Sequence, residues 1–169
     1  MTIFAHAAVS ILAGKTLRQL KPKDQSGRWI LFYAFCGMLP DFPLTLVTLT
    51  GNFTPHVHHH EWVFHTPLFW LAIGTLIAFF NRKIAVALLI GGLSHLATDW
   101  YGGGDGIMFL WPVNHKQFGI LLSGVHGPES FKQYISHPLF LMMEAALFLY
   151  LAYESIKAFR KFKSEGPAI

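Results

Sequence analysis

Long apolar runs alternate with short polar or charged breaks along this chain. Ile3 to Leu20 predicts a first helix, with Ala5, Ala7, Ala8, Ser10, Ala13 and Gly14 small enough for close helix packing and His6 in its first turns. The polar stretch 21–28, KPKDQSGR, predicts a loop. Trp29 to Thr50 is a second apolar segment, interrupted by Leu39-Pro40-Asp41-Phe42-Pro43, where two prolines around an aspartate break or kink a helix. At membrane depth such a break persists only inside protein or beside a water-filled cavity. Residues 51–61 form a His-rich loop, and Thr66 to Phe80 is a third apolar segment closed by Asn81-Arg82-Lys83. Ile84 to Asp99 is the fourth, delivering His95 and Asp99 at its end. Gly102 to Gly106 predicts a turn and Ile107 to Val125 a mixed connection, before a last apolar segment, Pro138 to Tyr153, with Glu144 inside it.

Composition assigns this pattern to a bilayer. Of 169 residues, 53% are hydrophobic and 13% charged, against about 25% charged in a typical soluble domain. Sixteen Phe and five Trp suit a lipid-facing surface with interfacial anchors. The predicted fold is therefore all-α: an integral membrane bundle of about five helices, with polar residues converging at one end. It comprises an embedded domain over 1–156 and a basic tail over 157–169. Several runs fall short of the roughly 20 residues that span a bilayer core, so a compact soluble bundle is the alternative. The single cysteine, Cys36, excludes an intrachain disulfide and a Cys-rich zinc site.

Charge placement gives the orientation. Basic residues cluster at 15–28, at Arg82-Lys83, and at Lys157, Arg160, Lys161 and Lys163. Putting all three clusters in the cytoplasm lets the spans alternate consistently, with the C-terminus inside and loops 51–65 and 100–137 outside. Those outer loops hold only two basic residues, Lys116 and Lys132. At about 1.5 Å per helical residue, Asp41 lies roughly 20 Å from Arg28, His65 roughly 25 Å from Arg82, and His95 and Asp99 roughly 18–24 Å beyond Lys83. Separate segments thus carry His and Asp to one level near the outer face of the inner membrane, and His6 reaches it from the first helix.

That convergence is the candidate chemistry. His95 and Asp99, four residues apart on a helix, share one face and together can bind a divalent metal. The candidate ligands are His6, Asp41, His60, His65, His95 and Asp99. Zinc and similar ions accept this mixture of imidazole and carboxylate, and a catalytic site leaves a position for water. Each residue has a plainer reading. His6 can be a packed histidine, Asp41 a helix cap, and His95 with Asp99 a hydrogen-bonded helix-packing pair. Of His56, His58, His59 and His60, at most one is expected to matter. Asp105 reads as a turn residue, Glu144 as a supporting partner, proton shuttle or helix–helix hydrogen bond, and His115, His126 and His137 as interfacial or solvated. No P-loop, dinucleotide fingerprint, GxSxG motif or nucleic-acid-binding pattern occurs.

The order of motifs resembles that of membrane-bound metal-dependent hydrolases. It runs through His6, Leu39-Pro40-Asp41, His60 with His65, Ser94-His95-Leu96-Ala97-Thr98-Asp99, Gly106 and Leu110-Trp111-Pro112. That family is in turn similar to zinc-dependent phospholipase C and to single-strand-specific zinc nucleases. The resemblance implies phosphoester hydrolysis with His6, Asp41, His65, His95 and Asp99 as ligands and Asp99 bridging. Where the family commonly has Arg-Gly after the first histidine of His-x4-His, this chain has Glu61-Trp62.

The expected function is hydrolysis of a phospholipid-like or other small phosphoester by metal-activated water. The cofactor would be one or two divalent ions, zinc foremost, with Glu61 as general base. Two alternatives stand beside it: a membrane metal-binding or metal-transport protein without hydrolase activity, and a purely structural membrane protein.

Overall fold

The computed structural model describes residues 2–17, 19, 27–51, 59–102, 106–120 and 127–165, with backbone alone for 127–131 and 164–165. Of the residues singled out above, His56, His58, Asp105 and His126 lie outside these. The described chain is all-α, with no named strand.

Helix α1 (Ile3–Thr16) starts at Thr2, whose Oγ1 accepts from the Ala5 amide at 3.4 Å, meeting one of the amides a helix start leaves unpaired. α2 (Gly27–Met38) passes through a 3-10 turn, Leu39–Asp41, into α3 (Phe42–Leu49). The expected break is therefore a tightened turn within one apolar span, and Pro40 and Pro43 each sit at the start of a helical element, where a missing N–H does no harm. α4 (Pro67–Ala78) begins at Thr66, which accepts from the Phe69 amide. α5 (Arg82–Gly102) is capped by Asn81 Oδ1, 3.1 Å from the amides of Lys83 and Ile84.

Two further helices follow, α6 (Gly127–Ser136) and α7 (Pro138–Glu165). α6 corrects the expectation of an outer connection without helix over this stretch. It is polar on average and amphipathic, so no long apolar run announces it. α7 continues through the basic residues Lys157, Arg160, Lys161 and Lys163. The helices named thus outnumber the five or so expected, because one apolar span is divided at its turn and α6 is added.

Three stretches are long and apolar enough to cross a membrane: Gly27–Leu49, Arg82–Gly102 and Pro138–Lys163. α1 and α4 are apolar but shorter. α1, α2, α5 and α7 share a core of Ala7, Ile11, Ile30, Tyr33, Cys36, Ala87 and Ala158, and α4 packs on α5 through Trp70 and Leu96.

Two glycines set the helix spacing. A Cβ on Gly37 would lie 2.6 Å from the His6 carbonyl oxygen and from Ser10 Cβ, so α1 and α2 touch there backbone to backbone. A Cβ on Gly92 would lie 2.2 Å from the Trp70 ring, which fills that gap.

The basic segments meet at one end of this bundle. Lys83 Nζ lies 4.2 Å from the Trp29 ring centroid, the Arg28 guanidinium sits 5.8 Å from that of Phe162, and Lys15 pairs with buried Glu154. The starts of α1 and α4 and the ends of α2 and α5 lie at the other end, which brings the histidines and aspartates together there.

Candidate metal centre

Each element places its polar side chain by a local device. His6 sits one turn into α1, and Asp41 ends the 3-10 turn after α2. The Asp41 side chain makes no capping hydrogen bond to α3, so its carboxylate is turned to another use than the cap considered for it. His65 closes a short 3-10 turn, Val63–His65, held by Trp70 Nε1 donating to the Phe64 carbonyl at 2.7 Å and by Thr66 Oγ1 donating to that of Val63 at 2.7 Å. His59 and His60 lie on the preceding turn, His59–Glu61. Segment 106–120 folds back against α5, with Ile107 and Phe118 paired through amide–carbonyl bonds of 2.9 and 3.0 Å. Gly106 at φ 72° makes that return possible, since a Cβ there would meet the Phe118 carbonyl.

The structure brings all six expected ligands into one cluster and adds His59. His6, His65, His95 and Asp99 are at most 1% exposed, and Asp41 and His60 are also buried. Around Asp41 Oδ1 stand His59 Nε2 at 3.7 Å, His65 Nε2 at 3.3 Å and His95 Nε2 at 3.6 Å. Asp99 Oδ2 lies 2.9 Å from His95 Nε2, 3.6 Å from His60 Nε2 and 3.8 Å from His65 Nε2. His6 Nε2 is 3.3 Å from Asp99 Oδ1 and 3.9 Å from Asp41 Oδ2.

These separations discriminate between two explanations. N–H···O hydrogen bonds measure about 2.7–3.2 Å, and only the His95–Asp99 contact falls in that window. Two atoms bound to one tetrahedral zinc at about 2.0–2.2 Å lie ~3.3–3.6 Å apart. Most of the other contacts fall in or close to that range. His6, His95 and Asp99 form one set whose ligand atoms all lie within 4.8 Å of one another; Asp41, His65 and His95 form a second, and His59, His60 and His65 a third.

The outer nitrogens fix which way the lone pairs point. His95 Nδ1 lies 2.8 Å from the Gly37 carbonyl oxygen, which can only accept, so Nδ1 carries the proton and Nε2 presents a lone pair to the cluster. Thr98 donates its hydroxyl to the His95 carbonyl at 2.7 Å. Its oxygen is then left to accept from His6 Nδ1 at 2.9 Å, and His6 Nε2 too faces inward as a lone pair. The His6 and His95 rings stack with centroids 3.6 Å apart, a distance that suits neutral imidazoles. Burial holds the His60 imidazole well below its ordinary pKa against the opposing pull of the Asp99 carboxylate, so this ring is neutral as well.

A buried cluster of lone pairs and carboxylate oxygens repels itself unless a cation sits within it. Asp41 Oδ1, His65 Nε2 and His95 Nε2 are buried without a hydrogen-bond partner, which is the state expected of atoms arranged for a metal. The donor set fits a borderline divalent ion of the zinc type.

Glu61 stands apart. It is exposed on the turn after His60, and among the described residues its carboxylate has no hydrogen bond or ion pair to the cluster. Glu144 accepts from the Thr2 amide at 2.9 Å, from Thr2 Oγ1 at 2.6 Å and from the Tyr134 hydroxyl at 2.6 Å. Of the roles considered for it, the geometry fits a helix–helix tie, joining the start of α1 to α6 and α7. His115 is exposed, and the His137 ring lies 5.1 Å from that of Phe140.

Sequence reasoning missed Gly37, Thr98 and His59. Thr98 lies inside the His-x3-Asp motif, so its position was a signal. Gly37 contributes a main-chain oxygen that no residue pattern reveals. A model of the family described as YdjM inner membrane protein matches residues 1–161. No curated protein and no solved structure matches the chain.

Proposed function

The chain belongs to the YdjM inner membrane protein family, and from that premise we propose that it is a membrane-embedded, metal-dependent hydrolase of phosphoester substrates. The substrate would be a phospholipid-like molecule or another small phosphoester delivered by the membrane. One observation carries the reading: imidazole nitrogens and two carboxylates converge at one end of the bundle, with the His6 and His95 lone pairs turned inward by Thr98 and Gly37. The motif order that resembles the membrane-bound metal-dependent hydrolases supports it.

His6, Asp41, His60, His65, His95 and Asp99 would hold the ion, zinc first among candidates. When bound, a divalent ion supplies Lewis acidity, polarising a phosphoryl oxygen and lowering the pKa of coordinated water. The protein's own groups do the rest. Gly37 and Thr98 hold two ligand rings in register, and Asp41 and Asp99 offset the charge of the ion. Trp70, Leu96 and Ile107 pack together on the α4–α5 side and exclude water there. His59, with a quarter of its side chain exposed, and Asp41, with 11% exposed, mark the side from which a substrate enters. Glu61, exposed beside that side, is the proton acceptor in this proposal. The site would face the outer surface, with the basic end of the bundle and the C-terminus in the cytoplasm.

Transport of the metal is the competing use of such ligands. A translocation path needs polar groups across the bundle, whereas the core shared by α1, α2 and α5 is apolar, from Ala7 and Ile11 to Ile30, Ala34 and Ala87. This favours a resident ion.

The test is to purify the protein in detergent, determine its metal content and assay a panel of phosphoesters, including phospholipids. Wild type should hydrolyse at least one, and His95→Ala and Asp99→Ala should lose both metal and activity. Stoichiometric metal with no hydrolysis of any phosphoester, unchanged in those variants, would overturn the reading.

A further inference from the structure

The cluster has more donors than one ion can use. Five imidazoles (His6, His59, His60, His65 and His95) and two carboxylates, Asp41 and Asp99, meet there. A zinc site of the ordinary kind takes four ligands, and a catalytic one takes three from protein. One ion bound among His6, His95 and Asp99, with Asp41 or His65 completing its shell, leaves at least two histidines unused.

The unused donors have a geometry of their own. The ligand nitrogens of His59, His60 and His65 lie within 4.8 Å of one another. His59 Nε2 is 3.7 Å from Asp41 Oδ1, and His60 Nε2 is 3.6 Å from Asp99 Oδ2. Each of these histidines thus faces a carboxylate that also faces the inner histidines. They also differ in access: His6 and His95 are at most 1% exposed, while a quarter of the His59 side chain is open.

We propose that His59, His60 and His65 form a second, outer cation position, sharing Asp41 and Asp99 with the inner ion. The imidazole-rich donor set selects a zinc-like divalent ion over magnesium or calcium, which prefer oxygen. Charge gives the second ion a use, and here the inference rests on the hydrolase reading. Two carboxylates offset one divalent ion and leave a neutral centre unsuited to attracting a phosphoester. A second divalent ion makes the same centre doubly positive, and its exposed side is where an anionic substrate arrives. The outer ion is the one expected to exchange with solvent, because its ligand His59 is exposed.

The experiment is zinc titration of the full-length, chelator-stripped protein in detergent, by calorimetry with elemental analysis. Wild type should take up two ions, the second at least tenfold more weakly than the first. His59→Ala should keep the tight ion and lose the second, and His59→Asp should restore it. The double variant His56→Ala/His58→Ala should bind both ions as wild type does, which excludes adventitious binding by the His-rich loop. A wild type that binds one ion overturns the proposal, as does a His59→Ala variant that still binds two or loss of the second ion in the double variant. These results are independent of activity: two ions falling to one in His59→Ala, in a protein that cleaves no phosphoester, would uphold the outer position and sink the hydrolase reading alone.

Discussion

The imidazole of His95 donates from Nδ1 to the main-chain carbonyl of Gly37, 2.8 Å away on the neighbouring helix. The same Gly37 has no room for a side chain, because α1 passes against it at the level of His6 and Ser10. One residue therefore sets both the spacing of α1 and α2 and the tautomer of a histidine on α5. Gly37→Ala should disturb both. We expect zinc affinity to fall about 10–100-fold, the usual effect of losing a partner behind a ligand, with a stability loss of about 1–3 kcal/mol from overpacking. Zinc titration and thermal unfolding of the same preparation measure the two effects separately.

Thr98→Val separates tautomer control from packing. The substitution keeps the side-chain shape but leaves His6 Nδ1 without its partner. Zinc affinity should drop about 10–100-fold, while Thr98→Ser, which keeps the hydroxyl, should stay near wild type. Equal affinities in the two variants would remove Thr98 from the orientation of His6.

Glu61→Gln tests the proton acceptor. Glu61 is exposed and makes no contact with the cluster among the described residues, so metal content should be unchanged. Loss of a general base lowers turnover by about 10²–10⁴-fold. An unchanged rate on a phosphoester cleaved by wild type would assign the base elsewhere.

Tyr134→Phe tests the tie between the start of α1 and the last two helices. Burial and the Glu144 carboxylate push the Tyr134 phenol above its ordinary range, so at physiological pH it is a donor. Removing a hydrogen bond to a charged group costs about 1.5–3 kcal/mol. A lower unfolding temperature in detergent is expected, with zinc stoichiometry unchanged.

Orientation is open to chemical labelling. The native thiol, Cys36, is fully buried and gives no background. A membrane-impermeant thiol reagent applied to the outer face should label Glu61→Cys and spare Lys83→Cys; the reverse pattern would invert the topology.

Much of this arrangement could be read before any coordinates. The four-residue spacing of His95 and Asp99 and the distance from each basic cluster placed ligands from separate helices at one level, and the bundle brings them together. The prolines flanking Asp41 marked an irregular turn, though not whether its carboxylate would cap a helix or face the cluster. Tertiary packing decided that. His59 was hidden by its neighbours, since four histidines in five positions give no periodicity from which to tell inner from outer. α6 was missed because its sequence is amphipathic and short, and the outer connection offered no long apolar run to signal it. Gly37 could not be found as a partner from sequence, because what it contributes is a main-chain oxygen across a helix interface.

α1 and α4, of 14 and 12 residues, measure ~21 and ~18 Å at about 1.5 Å per residue, against a hydrocarbon core of about 30 Å. Both flank α5. Hydrophobic mismatch on this scale is relieved by local thinning of the bilayer. On that side of the protein the headgroup layer is drawn inward, towards the level at which His6 and His65 begin their helices. A protein with this profile is best matched to a thin membrane, and a thicker host bilayer would press hydrocarbon across the entrance beside His59.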